Sequence, residues 1–170
     1  MKTLFLIVML LICGVQLIWA QDNCQIGAYI IDKDTKGLNV RDKPSVNGKS
    51  IGKLKYSKDD DNLVMVTIIG YSNGWVKISE AETVSGESQF SGVGWVSAKM
   101  VSTTTERADG KPIKLYAKPN TKSKTVGTMP NDIQVKIVGF DCFGLKVTYK
   151  KITGWIPKDD LCGNPVTTCP

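Results

Sequence analysis

The sequence predicts an all-β protein, two small β-barrels in tandem joined by a short linker. Three observations predict it: an internal repeat, short apolar–polar alternations set between turn residues, and no amphipathic helix of useful length. The repeat is anchored on residues 37–54, GLNVRDKPSVNGKSIGKL, which recur 75 positions later as PIKLYAKPNTKSKTVGTM from Pro112. Lys43/Lys118, Pro44/Pro119, Lys49/Lys124 and Gly52/Gly127 are identical, while Val40/Leu115, Ile51/Val126 and Leu54/Met129 stay apolar. At an offset of 69, VMVTIIGYSNGWVKI (64–78) lies over IQVKIVGFDCFGLKV (133–147), and at 60, Gly94-Trp95-Val96 lies over Gly154-Trp155-Ile156. The offset falls only between expected strands, so the first copy has longer loops near 56–62 and 80–93.

Taken in order, Lys2 precedes an apolar run from Leu4 to Leu17, then Ala20 precedes polar Gln21-Asp22. A basic start, a short apolar stretch and a small residue before a polar one read as a secretory signal peptide over 1–20. The run is short for a membrane span, which needs about 20 apolar residues. Lipid attachment at Cys13 fits poorly, because Ile12 stands where a small residue is wanted. The protein is therefore expected to be exported, with no stable membrane insertion after cleavage.

Strands are expected at 28–31, 37–40, 50–54, 63–70, 75–79 and 93–97, then at 113–116, 125–129, 133–140, 145–149 and 154–157. The first domain spans 21–103. Residues 101–110, VSTTTERADG, have no apolar period, and 104–110 are assigned as the linker. The second, divergent domain spans 111–170 and ends in a cysteine-containing tail.

Removing Lys2 from 22 basic residues leaves 21 against 16 acids, a net +5 after cleavage. That charge reads as a solvated surface, and no arginine cluster or aromatic ladder supports nucleic-acid binding. Cys24, Cys142, Cys162 and Cys169 form an even set, which in an exported chain of small domains implies disulfides. No closely spaced cysteine pair offers a metal site.

Chemistry is poorly served. The chain has no histidine, which removes Ser-His-Asp and Cys-His nucleophiles and most zinc sites. Asp59-Asp60-Asp61 and Asp159-Asp160 lie beside Lys58 and Lys158 and read as solvated turns rather than a desolvated acid pair. No phosphate-cradling glycine signature is followed by a helix. Neither catalysis nor a cofactor is expected.

The order Leu38-Asn39-Val40-Arg41 with Pro44, then Ile51-Gly52-Lys53-Leu54, Asn73-Gly74-Trp75-Val76-Lys77-Ile78 and Gly94-Trp95-Val96 resembles the bacterial SH3 (SH3b) domain. The resemblance covers roughly 28–162. The second copy departs from it, with Tyr116 for Arg41 and Gly144 for Trp75. It implies two SH3-like barrels, each with a surface groove flanked by loops. In the first copy the groove would hold Arg41, Asp42, Tyr71, Asn73 and Trp75; the second offers Tyr116, Asp141 and Phe143. Arg41 is read either as a planar donor to a ligand carboxylate or as a residue that holds its own loop. Trp75 is read as half exposed, and Trp95 and Trp155 as packing residues.

The resemblance also places the loops of Cys142 and Cys162 near each other, favouring Cys142–Cys162 with Cys24–Cys169. A Cys162–Cys169 clasp with Cys24–Cys142 between the domains is the alternative. The implied function is non-catalytic binding of a cell-wall peptide by a monomer, with peptidoglycan stem peptides or cross-bridges as the ligand class. Binding or inhibition of a secreted or periplasmic envelope protein is the alternative.

Overall fold

The computed structural model describes residues 24–56, 63–164 and 166. The expected signal segment, Asp59-Asp60-Asp61 and Cys169 lie outside them. Strands β1 (Ile26–Ile30), β2 (Leu38–Arg41), β3 (Ser50–Leu54), β4 (Val64–Ser72), β5 (Trp75–Thr83), β6 (Ser88–Ser97) and β7 (Val101–Ser102) form one sheet. Its order is β3-β2-β6-β5-β4-β1-β7. After β8 (Thr104–Thr105), the strands β9 (Ile113–Tyr116), β10 (Thr125–Met129), β11 (Lys136–Asp141), β12 (Gly144–Tyr149) and β13 (Ile152–Pro157) form a second sheet. Its order, β10-β9-β13-β12-β11, repeats the first sheet's β3-β2-β6-β5-β4 strand for strand. Finally β14 (Leu161–Cys162) pairs with β8. The architecture is all-β and tandem, as the repeat predicts.

Alternation explains the strands. In β5, Val76, Ile78, Ala81 and Thr83 are buried, with a bulge between Ile78 and Glu80 keeping Ala81 on the inner side. β5 therefore runs four residues past the expected end at 79, and β6 starts five residues before 93. The region read as a loop is a longer hairpin, because Ala81 and Thr83 keep the inward phase without looking like a strand. In the second copy the regular strand starts at Lys136 rather than 133; Gln134 makes only an isolated bridge to Thr104.

Residues 101–105 are not a solvated connection. Val101, Ser102, Thr103 and Thr105 are all buried, and the segment passes from β1 of the first module to β14 of the second. Its hydroxyls satisfy carbonyls across the junction. Ser102 Oγ donates to Val135 O (2.9 Å), Thr103 Oγ1 to Cys162 O (2.8 Å) and Thr105 Oγ1 to Pro130 O (3.1 Å). A threonine-rich stretch looks solvated in sequence, yet buried hydroxyls cost little once each has a partner. Gln134 Nε2 donates to Tyr29 Oη (3.2 Å), which also bonds Thr104 Oγ1 (2.9 Å). The buried apolar residues of both modules form one continuous cluster. The tandem is a single packed unit.

One disulfide joins Cys24 to Cys142, closing a sequence separation of 118. This overturns the favoured Cys142–Cys162 and Cys24–Cys169 pairing. The turn between β11 and β12 reaches the start of β1 instead, because the junction packs the second module against the first. Cys162 is also disulfide-bonded. Replacing Cys24 and Cys142 together by serine is expected to lower unfolding free energy by about 2–4 kcal/mol, read from urea unfolding.

Two glycines set how closely the strands cross. A Cβ on Gly94 would strike Val40 Cγ1, and one on Gly154 would lie 2.8 Å from Leu115 Cβ. Those neighbours sit next to the backbone and cannot swing away. Gly154→Ala should therefore cost about 1–3 kcal/mol, measured as a lower urea midpoint at unchanged m-value.

Candidate functional site

The candidate surface lies on the outer face of the sheets. In β6, Gly94 and Val96 are buried, which turns Trp95 outward and leaves it half-buried. In β5, buried Val76 and Ile78 put Trp75 and Lys77 on the same outer side. The register pairs Trp75 with Ser97 and Lys77 with Trp95, so the two tryptophans sit diagonally across neighbouring strands. Lys77 Nζ lies 5.9 Å from the centroid of a Trp95 ring, within cation–π range. Arg41 is the register partner of Trp95 on its other side. Trp95 is thus a face residue, not the packing residue expected from its Gly-Trp-Val context.

The same row recurs in the second module. Tyr116 and Lys146 are the register partners of Trp155, which is half-buried between buried Gly154 and Ile156. Trp155 too is a face residue. Sequence reasoning missed both tryptophans and both lysines by weighing tryptophan as apolar. The signal was the strand phase, since Gly and Val or Ile on either side already face the core.

The other candidates divide. Arg41 Nη1 donates to Gly48 O at 2.6 Å and so holds its own loop; no acid is its partner in that bond. Asp42 Oδ1 accepts from Lys49 N (2.9 Å) across the same loop. Tyr71 packs against the core, on the side opposite Trp75. Asn73 and Gly74 form the β4–β5 turn with φ of 47° and 83°. Positive φ at both central residues marks the type I′ hairpin that Asn-Gly favours, so Asn73 shapes the turn. In the second module Asp141 Oδ1 accepts from Phe143 N (2.9 Å), fixing the β11–β12 turn. The Phe143 and Tyr116 rings meet edge to face, 6.0 Å apart.

No group of three or more His, Cys, Asp or Glu among the described residues could hold a metal ion. Open cavities lie elsewhere. One of about 260 Å³ sits at the junction between Ala98, Lys99, Gln134 and Val135, and one of about 170 Å³ lies beside β1 between Thr67, Glu80 and Gly163. None of the eight candidate residues lines either. The titratable cluster is structural. Arg107 Nε and Nη2 donate to Asp109, and Nη1 lies 3.4 Å from Asp160 Oδ1. Donation from Arg107 holds the Asp109 carboxyl well below the usual carboxylate range. Burial pushes the Asp160 carboxyl up, against the pull of Arg107. Asp160 is a desolvated acid, but one spent on joining residues 106–109 to the turn before β14.

Residues 36–102 and 111–161 match the family model described as bacterial SH3 domain. The chain belongs to the bacterial SH3 domain family. No curated protein matches it. Among solved structures, it is similar to NlpC1 from Trichomonas vaginalis, at 22% identity over 81% of this chain and 45% of that one, with a TM-score of 0.34. NlpC2 from the same organism gives 20% identity over 81% and 47%, with a TM-score of 0.34. The structure titled CBDP35 gives 15% over 81% and 94%, with a TM-score of 0.27. The chain spans about half the length of the two NlpC proteins. Among the described residues of this tandem bacterial SH3 protein, no helix is long and apolar enough to cross a membrane.

Arg107→Ala should lower the melting temperature near neutral pH. Asp109, with a depressed folded pKa, stabilises the fold above the ordinary carboxylate value of about 4. That contribution fades as pH falls through the folded pKa, so the deficit of the variant should narrow in acid. A thermal-melt series across acid pH checks this.

Proposed function

We propose that this protein is an exported, non-catalytic binding module of the bacterial cell envelope, and that its first domain binds the peptide part of peptidoglycan. The observation that carries the reading is the placement of half-buried Trp75, Trp95 and Lys77 together on one outer face, beside Arg41. Two large rigid rings supply contact area at low entropic cost, and the ammonium supplies a partner for a ligand carboxylate. Family membership supports a binding role, and the Cys24–Cys142 disulfide supports an oxidising compartment. The alternative, an interaction or inhibitor module for a secreted or periplasmic protein, would use the same face.

The test is co-sedimentation with purified peptidoglycan. Wild type should pellet at physiological salt, and Trp75→Ala should lose about tenfold or more in affinity, with Trp75→Phe retaining most of it. Wild type staying in solution would sink the peptidoglycan reading in favour of a protein partner. Equal pelleting of all three, released by salt, would assign retention to charge alone.

A further inference from the structure

We infer that the second module carries a ligand site of its own, built to take an anionic glycan strand rather than a peptide. It goes beyond the first-module reading and rests on the second module's charge and rings.

Charge is divided unevenly between the modules. Residues 111–162 carry ten lysines against four aspartates, a net +6, whereas residues 24–100 carry nine lysines and Arg41 against nine acids, a net +1. Two of the four aspartates are already engaged, Asp141 in its turn and Asp160 with Arg107. The loop between β9 and β10 adds Lys118, Lys122 and Lys124 with no acid. A surface of this sign concentrates polyanions.

Rings lie within that field. Trp155 is flanked in register by Tyr116 and Lys146, and Phe143 meets the Tyr116 ring. Gly144 stands at the place of Trp75, and a Cβ there would strike the Ile156 carbonyl oxygen. No tryptophan fits at that position, and the turn residue Phe143 brings an aromatic ring to the face instead. Three constraints hold that turn: the Asp141 bond to Phe143 N, the Lys158 N–H donated to Phe143 O (2.8 Å), and the Cys24–Cys142 disulfide at the adjacent residue. The rings are set before any ligand arrives, which lowers the ordering cost of binding.

Charge and rings together select the ligand class, a polyanion built of sugar rings. Their C–H faces pack on the electron-rich faces of aromatic rings, and their carboxylates or sulfates meet Lys146 and its neighbours.

The test is calorimetric titration of the whole protein with a glucuronate–N-acetylglucosamine hexasaccharide. Poly-glutamate of matched charge, a neutral chitin hexasaccharide and a thymidine oligonucleotide serve as separate probes. The acidic oligosaccharide should bind best, Trp155→Ala should weaken it at least about tenfold, Trp155→Phe should restore most of the loss, and Trp75→Ala should leave it within about twofold. A thermal melt establishes that Trp155→Ala is folded; if it is not, Lys146→Gln with Phe143→Ala takes its place and the same loss is required. Absence of binding, equal binding of poly-glutamate, tighter binding of the oligonucleotide, or indifference to the Trp155 or replacement variant would each overturn the inference.

Discussion

Each module depends on one close crossing, where the strand carrying Gly-Trp passes over the first strand of its repeat. At Gly94 against Val40, and at Gly154 against Leu115, there is no room for a Cβ. The missing side chain brings the strands near enough to bury Val40 and Val96 in one module, Leu115 and Ile156 in the other. The same crossing fixes the phase of the next residue. With glycine inward, tryptophan must point outward, so a packing constraint places the central ring of each candidate face. Fold and site share one cause.

The junction between the modules is held by a different kind of interaction. Ser102, Thr103 and Thr105 are buried with their hydroxyls bonded to carbonyls on neighbouring segments. In a dry environment a hydroxyl without a partner would be destabilising, and one with a partner is directional. These residues therefore fix how β7 and β8 thread between the sheets as well as filling space there. Cys24–Cys142 adds a covalent tie on the same side of the arrangement, from the start of β1 to the β11–β12 turn.

On a shared scaffold the two faces have diverged by compensation. The first keeps Arg41 and Trp75, with Arg41 bonded back to Gly48. In the second, Tyr116 replaces the arginine and the steric limit at Gly144 excludes a tryptophan, while Phe143 comes in from the turn. The strand ladder, Lys77/Lys146 and Trp95/Trp155 are the common frame. Variation is confined to the loop-proximal corner, where a side chain can change without disturbing the inward phase.

Much of this was legible in the sequence. The repeat and its alternation determined two all-β modules of one family, and the edges of β3, β9 and β10 fell where turn residues placed them. Arg41 and Trp75 could be singled out as candidates because motif positions beside loops are local properties. Tertiary structure decided the rest. Residues 101–105 became a buried passage because their hydroxyls met carbonyls from residues 25 to 59 positions away in the chain. The disulfide partner was set by how the modules dock, which no local spacing encodes. Trp95 and Trp155 turned outward because a neighbouring strand filled the space inside, and that neighbour is 55 or 40 residues earlier in the chain. Local pattern sets what each segment can be; only the packed neighbours set which way it faces.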